Sequence, residues 1–337
     1  MQGRILVVGP SWVGDMVMAQ SLFITLKRQQ PDAAIDVLAP EWSLPILERM
    51  PEVAGGLVVP VGHGQLGLGK RWQLGKSLRA RNYTQAIVLP NSYKSALVPW
   101  VANIPQRTGF RGEWRYGLLN DIRTLDREQF PMTVQRYVAL GLPAHQSIAL
   151  DLPRPRLQRS PERLAELIRT LGLDTSRPAA ALMPGAEFGP AKQWPATHFA
   201  ALAQARLEQG EQVWLLGSAK DRPVGDAIAG IAGEGVRNLC GQTQLADAVD
   251  LIGAARVAVT NDSGLMHVAA ALDTPVVAIF GSSSPRHTPP LAERASIQYL
   301  ALSCSPCFKR VCPLGHTRCL HAIAPEQVMR AIDGCTH

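Results

Sequence analysis

The sequence predicts an α/β protein built from two doubly wound domains. Three observations predict it. Short apolar runs of buried-strand type alternate with segments of helical period in both halves of the chain. The alternation is broken once, by the Pro-rich, weakly periodic stretch GLPAHQSIALDLPRPRLQRSPE (141–162), which reads as a linker. The 337 residues, 46% of them hydrophobic and 18% charged, suffice for two cores at about 100–200 residues per domain. The expected division is 1–155 and 156–337.

In the first half, RILVVG (4–9) is a strand. MVMAQSLFITLKRQ (16–29) has helical spacing, with Met16, Ala19, Leu22, Phe23 and Leu26 on one face. IDVLAP (35–40), GLVVPV (56–61) and AIVLPN (86–91) are further strands, ended by Pro, Gly or Asn. Strands separated by helices pair in parallel through right-handed crossovers. After the linker the pattern restarts. Strands are expected at AAALMPG (179–185), QVWLLGS (212–218), VAVTND (257–262) and PVVAIFG (275–281). Helices are expected at WPATHFAALAQARLEQG (194–210), QLADAVDLIGAA (244–255) and GLMHVAAAL (264–272). The last segment, APEQVMRAID (324–333), has Pro325 near its first turn, a normal helix start, and is a candidate to pack back on the N-terminal domain. Ligands of such sheets bind at the carboxyl ends of the strands, so two facing domains imply a cleft between two such edges.

The formal charge of +7 is concentrated. Residues 70–136 hold twelve Lys/Arg against four Asp/Glu, a local excess of +8. That field attracts phosphates, nucleic acid or an anionic membrane surface; it also fits a solvated basic face. No apolar run approaches the ~20 residues that span a bilayer, and Met1 leads straight into RILVVG without a signal-peptide pattern. The expectation is a cytoplasmic enzyme.

Four stretches carry chemistry. In VAVTNDSGLMHVAAAL (257–272) a strand hands over to a helix, with Asp262 or Ser263 as cap and Gly264 allowing close approach. The first N–H groups of that helix and its dipole form a phosphate site. His267, one turn on, flanks the same ligand. An ordinary strand–helix turn explains the same residues. In MPGAEFGPAKQWP (183–195), Lys192 stands just before a helix start, where the macrodipole disfavours a cation. An anion lying between would explain it; a solvated loop is the plainer account. Glu187 could accept hydrogen bonds from ribose hydroxyls. In LLGSAKD (215–221), Gly217 and Ser218 suit close approach by a nucleotide, with Lys220 or Asp221 in reach of a sugar or base. In GPSWVGD (9–15), Asp15 stands at a helix N-terminus, which favours its ionised form. It serves there as a cap or as a general base, and the residues alone do not choose.

Six cysteines occur, four of them in CSPCFKRVCPLGHTRC (304–319). Cys304, Cys307, Cys312 and Cys319, with His316 among them, could hold a structural metal, form redox-labile thiols, or simply pack. The spacing is not one of the common zinc patterns. Cys240 and Cys335 stand apart.

Together GPSWVGDM (9–16), LPNSYKSALVP (89–99), GFRGEWRYGLLND (109–121), PGAEFGPAKQWP (184–195) and TNDSGLMHVAAAL (260–272) resemble glycosyltransferase family 9, the heptosyltransferases of lipopolysaccharide core synthesis. The resemblance covers nearly the whole chain. It implies the GT-B fold, two Rossmann-like domains with the acceptor in the first and the donor in the second. The implied donor is ADP-heptose, and the implied acceptor is a phosphorylated lipid A–core molecule at the cytoplasmic face of the inner membrane. By motif position Asp15 becomes the base. Lys192 meets the donor diphosphate, and Asp262, Ser263, Gly264 and His267 close the donor site. Lys70, Arg71, Asn91, Lys94, Arg111 and Arg115 become acceptor candidates, with Arg107 a further cation of that stretch. Lys192 and a helix N-terminus would stabilise the leaving diphosphate, so the chemistry requires no metal cofactor.

Three other classes fit less well. A sugar-nucleotide epimerase shares the architecture but needs no basic acceptor surface. A nicotinamide oxidoreductase lacks its glycine fingerprint here. A nucleic-acid binder fits the charge, but an aromatic content of 6% and the donor-type loops argue against nucleic acid as partner.

Overall fold

A computed structural model of the chain describes residues 3–62, 65–144 and 152–336. Residues 145–151 of the expected linker lie outside the described residues. The chain divides into two compact units, Met1–Pro155 and Arg156–His337.

The first unit runs β1 (Arg4–Val8), α1 (Val13–Gln29), β2 (Ala34–Ala39), α2 (Leu44–Leu47), β3 (Val53–Val58), α3 (Leu68–Leu78), β4 (Gln85–Val88), α4 (Leu97–Val101), β5 (Gln106–Phe110), β6 (Asp121–Arg123) and α5 (Thr133–Gly141). Among the described residues its six strands lie in the order β3-β2-β1-β4-β5-β6, all parallel. The central strands are continuous apolar runs because both sheet faces are covered, and Ile5, Leu6, Val7, Ile87 and Val88 are fully buried. For the same reason α1 is buried well beyond the expected stripe: Val17, Met18, Gln20 and Ser21 are also enclosed. The third strand begins three residues before its expected start. Gly55 and Gly56 pair with Asp36 and Val37 past a register shift, and a Cβ on Gly56 would meet Leu44 at 2.7 Å.

The second unit runs α6 (Pro161–Leu171), β7 (Ala179–Met183), α7 (Ala196–Glu208), β8 (Gln212–Leu215), α8 (Arg222–Ala232), β9 (Val236–Asn238), α9 (Leu245–Ala254), β10 (Val257–Asn261), α10 (Gly264–Ala271), β11 (Val276–Ile279), β12 (Ala295–Gln298), α11 (Arg318–His321) and α12 (Pro325–Thr336). Its order, β12-β11-β10-β7-β8-β9, is again all parallel and repeats the winding of the first sheet. The linker reading overran α6, whose first turn is capped by the Ser160 side chain accepting from Arg163 N–H at 3.2 Å. α12 packs on α7, β11 and β12, so Val328, Ile332 and Cys335 are spent in the core of its own unit.

In each sheet the winding reverses between the first and fourth strands. That puts one crevice at the carboxyl ends of β1 and β4 and another at those of β7 and β10.

Candidate functional site

The second unit's crevice is built by three loops. Asn261 ends β10 and ties the crevice together. Its Nδ2 donates to Pro184 O at 2.7 Å, past the end of β7, and its Oδ1 accepts from Trp194 N–H at 3.0 Å. Lys192 sits in a single 3₁₀ turn before α7. Its Nζ donates to Asp262 Oδ2, which also accepts from the Ser283 hydroxyl beyond β11. The ammonium lies 5.1 Å from the centre of the Phe188 ring, and the Arg310 guanidinium lies 5.3 Å from it. Lys192 is therefore held by a carboxylate and an aromatic face rather than left in solvent.

Ser263 is the N-cap of α10 by backbone geometry, yet its hydroxyl shares a hydrogen bond with Thr260 Oγ1 at 3.2 Å and does not cap. Asp262 is not the cap. The helix thus presents its first amides at Gly264 beside Lys192, an arrangement that suits an anion. His267 is buried on the next turn. Burial pushes its pKa down to about 4, Lys192 pushes the same way, and Asp262 opposes them. The imidazole is neutral at neutral pH and adds hydrogen-bonding capacity without charge.

The third loop differs from expectation in one respect. Asp221 does not point outward to a sugar or base. Its carboxylate accepts from Ser218 N–H and Ser218 Oγ, each at 2.8 Å. Gly185 and Gly217 wrap that carboxylate, and a Cβ on Gly185 would meet it at 2.5 Å. Ser218 and Gly217 form a rigid turn, and both glycines are required by Asp221. Glu187 pairs with Lys220 at 2.6 Å on the surface, an exposed contact of small energetic weight.

In the first unit, Asp15 is the third residue of α1 and half-buried. It lies close enough to Tyr137 of α5 that, with burial as the larger cause, its charge raises the phenol pKa. Tyr137 stays a neutral hydroxyl beside the carboxylate. Asn91 follows β4, Lys94 lies in the turn Tyr93–Ala96, and Arg111 follows β5. Asn91 and Arg111 are exposed. Two of the acceptor candidates are placed otherwise. Arg115 is 2% exposed. Its guanidinium donates to Pro90 O at 2.7 Å, to Asn91 Oδ1 at 3.3 Å and to Phe110 O, so it braces the loops after β4 and β5. Arg71 is buried in α3, with Nε donating to Leu66 O at 2.8 Å. Lys70 is exposed on the same helix. Arg107 donates to Leu118 O and Ile104 O and also serves the fold.

Asn261, Ser283, Phe188 and Tyr137 escaped the sequence reading. Ser283 was the most accessible of them, because GSSS directly follows β11 at the same sheet edge. Asn261 and Tyr137 act through partners 77 and 122 residues away in the chain, and no local pattern signals that.

The cysteine segment is irregular. Cys304, Cys307, Cys312 and Cys319 form no disulfide and are half-buried. They line one cavity of about 20 Å³ together with His316, Ala191 and Ser282. Backbone amides of Leu314, Gly315, His316 and Thr317 surround the Cys312 sulfur and, with the Thr317 amide foremost, lower its pKa. As the side chains stand, no group of three or more His, Cys, Asp or Glu among the described residues is arranged to hold a metal ion.

Comparison with known proteins matches residues 71–318 to the family model glycosyltransferase family 9 (heptosyltransferase). Lipopolysaccharide heptosyltransferase 2 of Salmonella typhimurium is 50% identical over 338 residues, covering 98% of this chain and 97% of that protein. The Escherichia coli K12 protein of the same name is 49% identical over 98% of this chain and 97% of its own length. The solved structure of E. coli ADP-heptose lps heptosyltransferase II is similar at a TM-score of 0.90 and 46% identity, covering 100% of this chain and 98% of that one. E. coli heptosyltransferase WaaC with ADP shares the fold at a TM-score of 0.70 and 20% identity, covering 98% of this chain and 99% of that one. The two parallel sheets are those of the GT-B heptosyltransferase fold. The chain belongs to glycosyltransferase family 9, the heptosyltransferases.

Proposed function

We propose that this chain is an inverting glycosyltransferase of lipopolysaccharide inner-core synthesis. It moves L-glycero-D-manno-heptose from ADP-heptose to the first heptose of heptosyl-Kdo2-lipid A. The observation that carries this reading is the anion site of the second unit, where Lys192, the start of α10 and a neutral His267 converge. The likeness to heptosyltransferase 2 proteins at about half identity supports the choice of donor and acceptor.

The donor binds the second unit, with Lys192 and the α10 amides on its diphosphate. Glu187, Gly217 and Ser218 lie toward the nucleoside, and Asp262, Ser263, Gly264 and His267 complete the site. The acceptor binds the first unit, where Lys70, Asn91, Lys94 and Arg111 meet its phosphates, while Arg115 braces the loops after β4 and β5 and Arg71 the start of α3. In the reaction the bond from heptose C1 to the ADP oxygen breaks, and ADP leaves with the electron pair. A bond from C1 to the acceptor hydroxyl oxygen forms, and that hydroxyl's proton passes to Asp15. Positive charge on the ring peaks in the transition state while negative charge grows on the departing ADP. Lys192 and the helix dipole stabilise the second of these. The work is done in the cytoplasm, peripheral to the inner membrane; among the described residues no helix is long and apolar enough to cross a membrane.

Incubation of the purified chain with ADP-heptose and a mono-heptosylated acceptor, followed by mass spectrometry, tests this. Gain of one heptose is expected. Transfer only to a different core acceptor would move the chain to another heptosyltransferase of the family. Interconversion of the donor without any acceptor would make it an epimerase.

A second reading attaches to the cysteine segment. Four thiols lining one small cavity favour a structural divalent ion held by Cys304, Cys307, Cys312 and Cys319, for which their side chains would turn inward. Elemental analysis of the purified protein tests it. One zinc or iron per chain is expected, and a metal-free protein with four titratable thiols would end it.

A further inference from the structure

The helix α3 has three faces, and the function above uses little of it. Its inner face carries Arg71, Gly75 and Leu78, all buried. Gly75 lets α4 come close, since a Cβ there would meet Val101 Cβ at 2.6 Å and Val98 O at 3.0 Å. Arg79 adds a bond from Nε to Val101 O at 2.8 Å. The helix is clamped against α4, and its outer face is presented in a constant orientation.

That outer face is a stripe at i, i+4 and i+8: Leu68, Trp72 and Lys76. Leu68 is 54% exposed and Trp72 45%. Trp100 of α4 stands edge-on to Trp72 with ring centres 6.0 Å apart and is 40% exposed itself. Lys76 Nζ lies 5.8 Å from the Trp72 ring centre. Leu66, just before the helix, is also exposed. A parallel row, Lys70, Gln73 and Ser77, lines an open groove of about 490 Å³. From Leu68 to Arg81 the chain carries five Lys/Arg and no Asp or Glu.

Single exposed apolar residues need no explanation. Four large ones set among cations, with two tryptophans at the surface, do. Tryptophan favours the headgroup zone of a bilayer, where an apolar ring meets water, and basic side chains are attracted there by anionic lipid. Other occupants fit worse. A second copy of this chain would bring the exposed cations Lys70 and Lys76 against their own like charges. Stacked bases need open aromatic faces, whereas Trp72 and Trp100 meet each other and Lys76 covers one of them.

We propose that the outer face of α3, with Leu66 and Trp100, is the surface on which this chain docks to an anionic lipid bilayer. The inference deepens the peripheral-membrane part of the function above and rests on it.

The test uses the full chain with vesicles of phosphatidylcholine alone and of phosphatidylcholine mixed with phosphatidylglycerol. The wild-type protein should sediment with the mixed vesicles, less so as salt is raised. The double variant Trp72→Ser/Trp100→Ser and the single variant Lys76→Glu should each weaken that partition by about tenfold or more. Cooperative thermal melts should show both variants folded, with Lys76→Glu near the wild type and the double variant lower by the lost Trp72–Trp100 contact. Heptose transfer to an acceptor stripped of its acyl chains should be unchanged in both. The docking proposal is overturned if the wild type ignores vesicles, if it binds both compositions equally, or if the variants bind like wild type. It is overturned too if the variants lose transfer to the deacylated acceptor, which would put the face in the acceptor site. Loss of a wild-type dimer in the variants would make the occupant a second copy. If vesicle binding behaves as expected but no heptose is ever transferred, the functional reading fails and the docking surface stands.

Discussion

Beside β7 and β10 the polar side chains are locked to one another; beside β1 and β4 the candidates for ligand contact stand largely at the surface. Lys192, Asp262 and Ser283 form one bonded set, Asn261 bridges two strand ends, and His267 is buried. In the first unit Asn91 and Arg111 are exposed, and the buried cation Arg115 is spent on backbone oxygens. Both units wind their sheets alike, so the difference is not one of fold. A preorganised set suits a ligand of constant shape, such as a nucleotide diphosphate, because little reorganisation remains at binding. An exposed cationic set suits a large ligand whose charges are spread out.

The largest expected effect lies in the first unit. Asp15→Ala should lower kcat by roughly 10²–10⁴-fold while the Kd for ADP stays within about twofold. Equal losses in turnover and ADP affinity would make Asp15 a helix-start residue only, and would erase the division of roles between the units.

Next is the buried histidine. In the folded state its pKa is depressed from 6.5 to about 4. Above pH 6.5 the imidazole is neutral in both folded and unfolded chains, so it costs nothing there. As pH falls from 6.5 toward 4 the unfolded chain takes up a proton that the folded chain refuses, and stability is lost, by about 3 kcal/mol at most. Chemical denaturation of wild type and His267→Gln at several pH values checks this. The variant should lose less stability than wild type between pH 7 and 4, and parallel curves would show that His267 is not held neutral.

Lys192→Ala should raise the ADP Kd by roughly 10–100-fold, the weight of a hydrogen bond to a charged group. It also strands Asp262 beside Ser283. Adding Asp262→Asn should restore the melting temperature but not ADP affinity. Calorimetry that finds ADP binding intact in Lys192→Ala would remove the lysine from the donor site.

The smallest effect tests the looser crevice. A Cβ on Gly112 would meet Asn91 O at 2.3 Å, backbone against side chain. Gly112→Ala should cost about 1–3 kcal/mol of stability and raise the acceptor KM, with the donor KM unchanged. A matching rise in donor KM would blur the contrast between the two crevices.

Much of this was legible locally. The central strands were readable because a parallel strand covered on both faces must be apolar throughout. The edges were not. Gln106–Phe110, Asp121–Arg123, Val236–Asn238 and Ala295–Gln298 are short and mixed in composition, and they become strands through the neighbour they pair with. Of the site, the two strand–helix turns that carry Asp15 and Gly264 were visible, since a turn's chemistry lies in consecutive residues.

By itself the amino-acid sequence determined the two α/β halves, the family, and the strand–helix turns that carry Asp15 and Gly264, because periodicity and motif are properties of neighbouring residues. Only the tertiary structure decided which cations stand exposed and which brace the chain. Arg115 and Arg111 look alike in GFRGEWR, yet one is enclosed among carbonyl oxygens and the other stands in water. Burial and hydrogen-bond partners come from segments far apart in the chain, and those set whether a charge is available or already used.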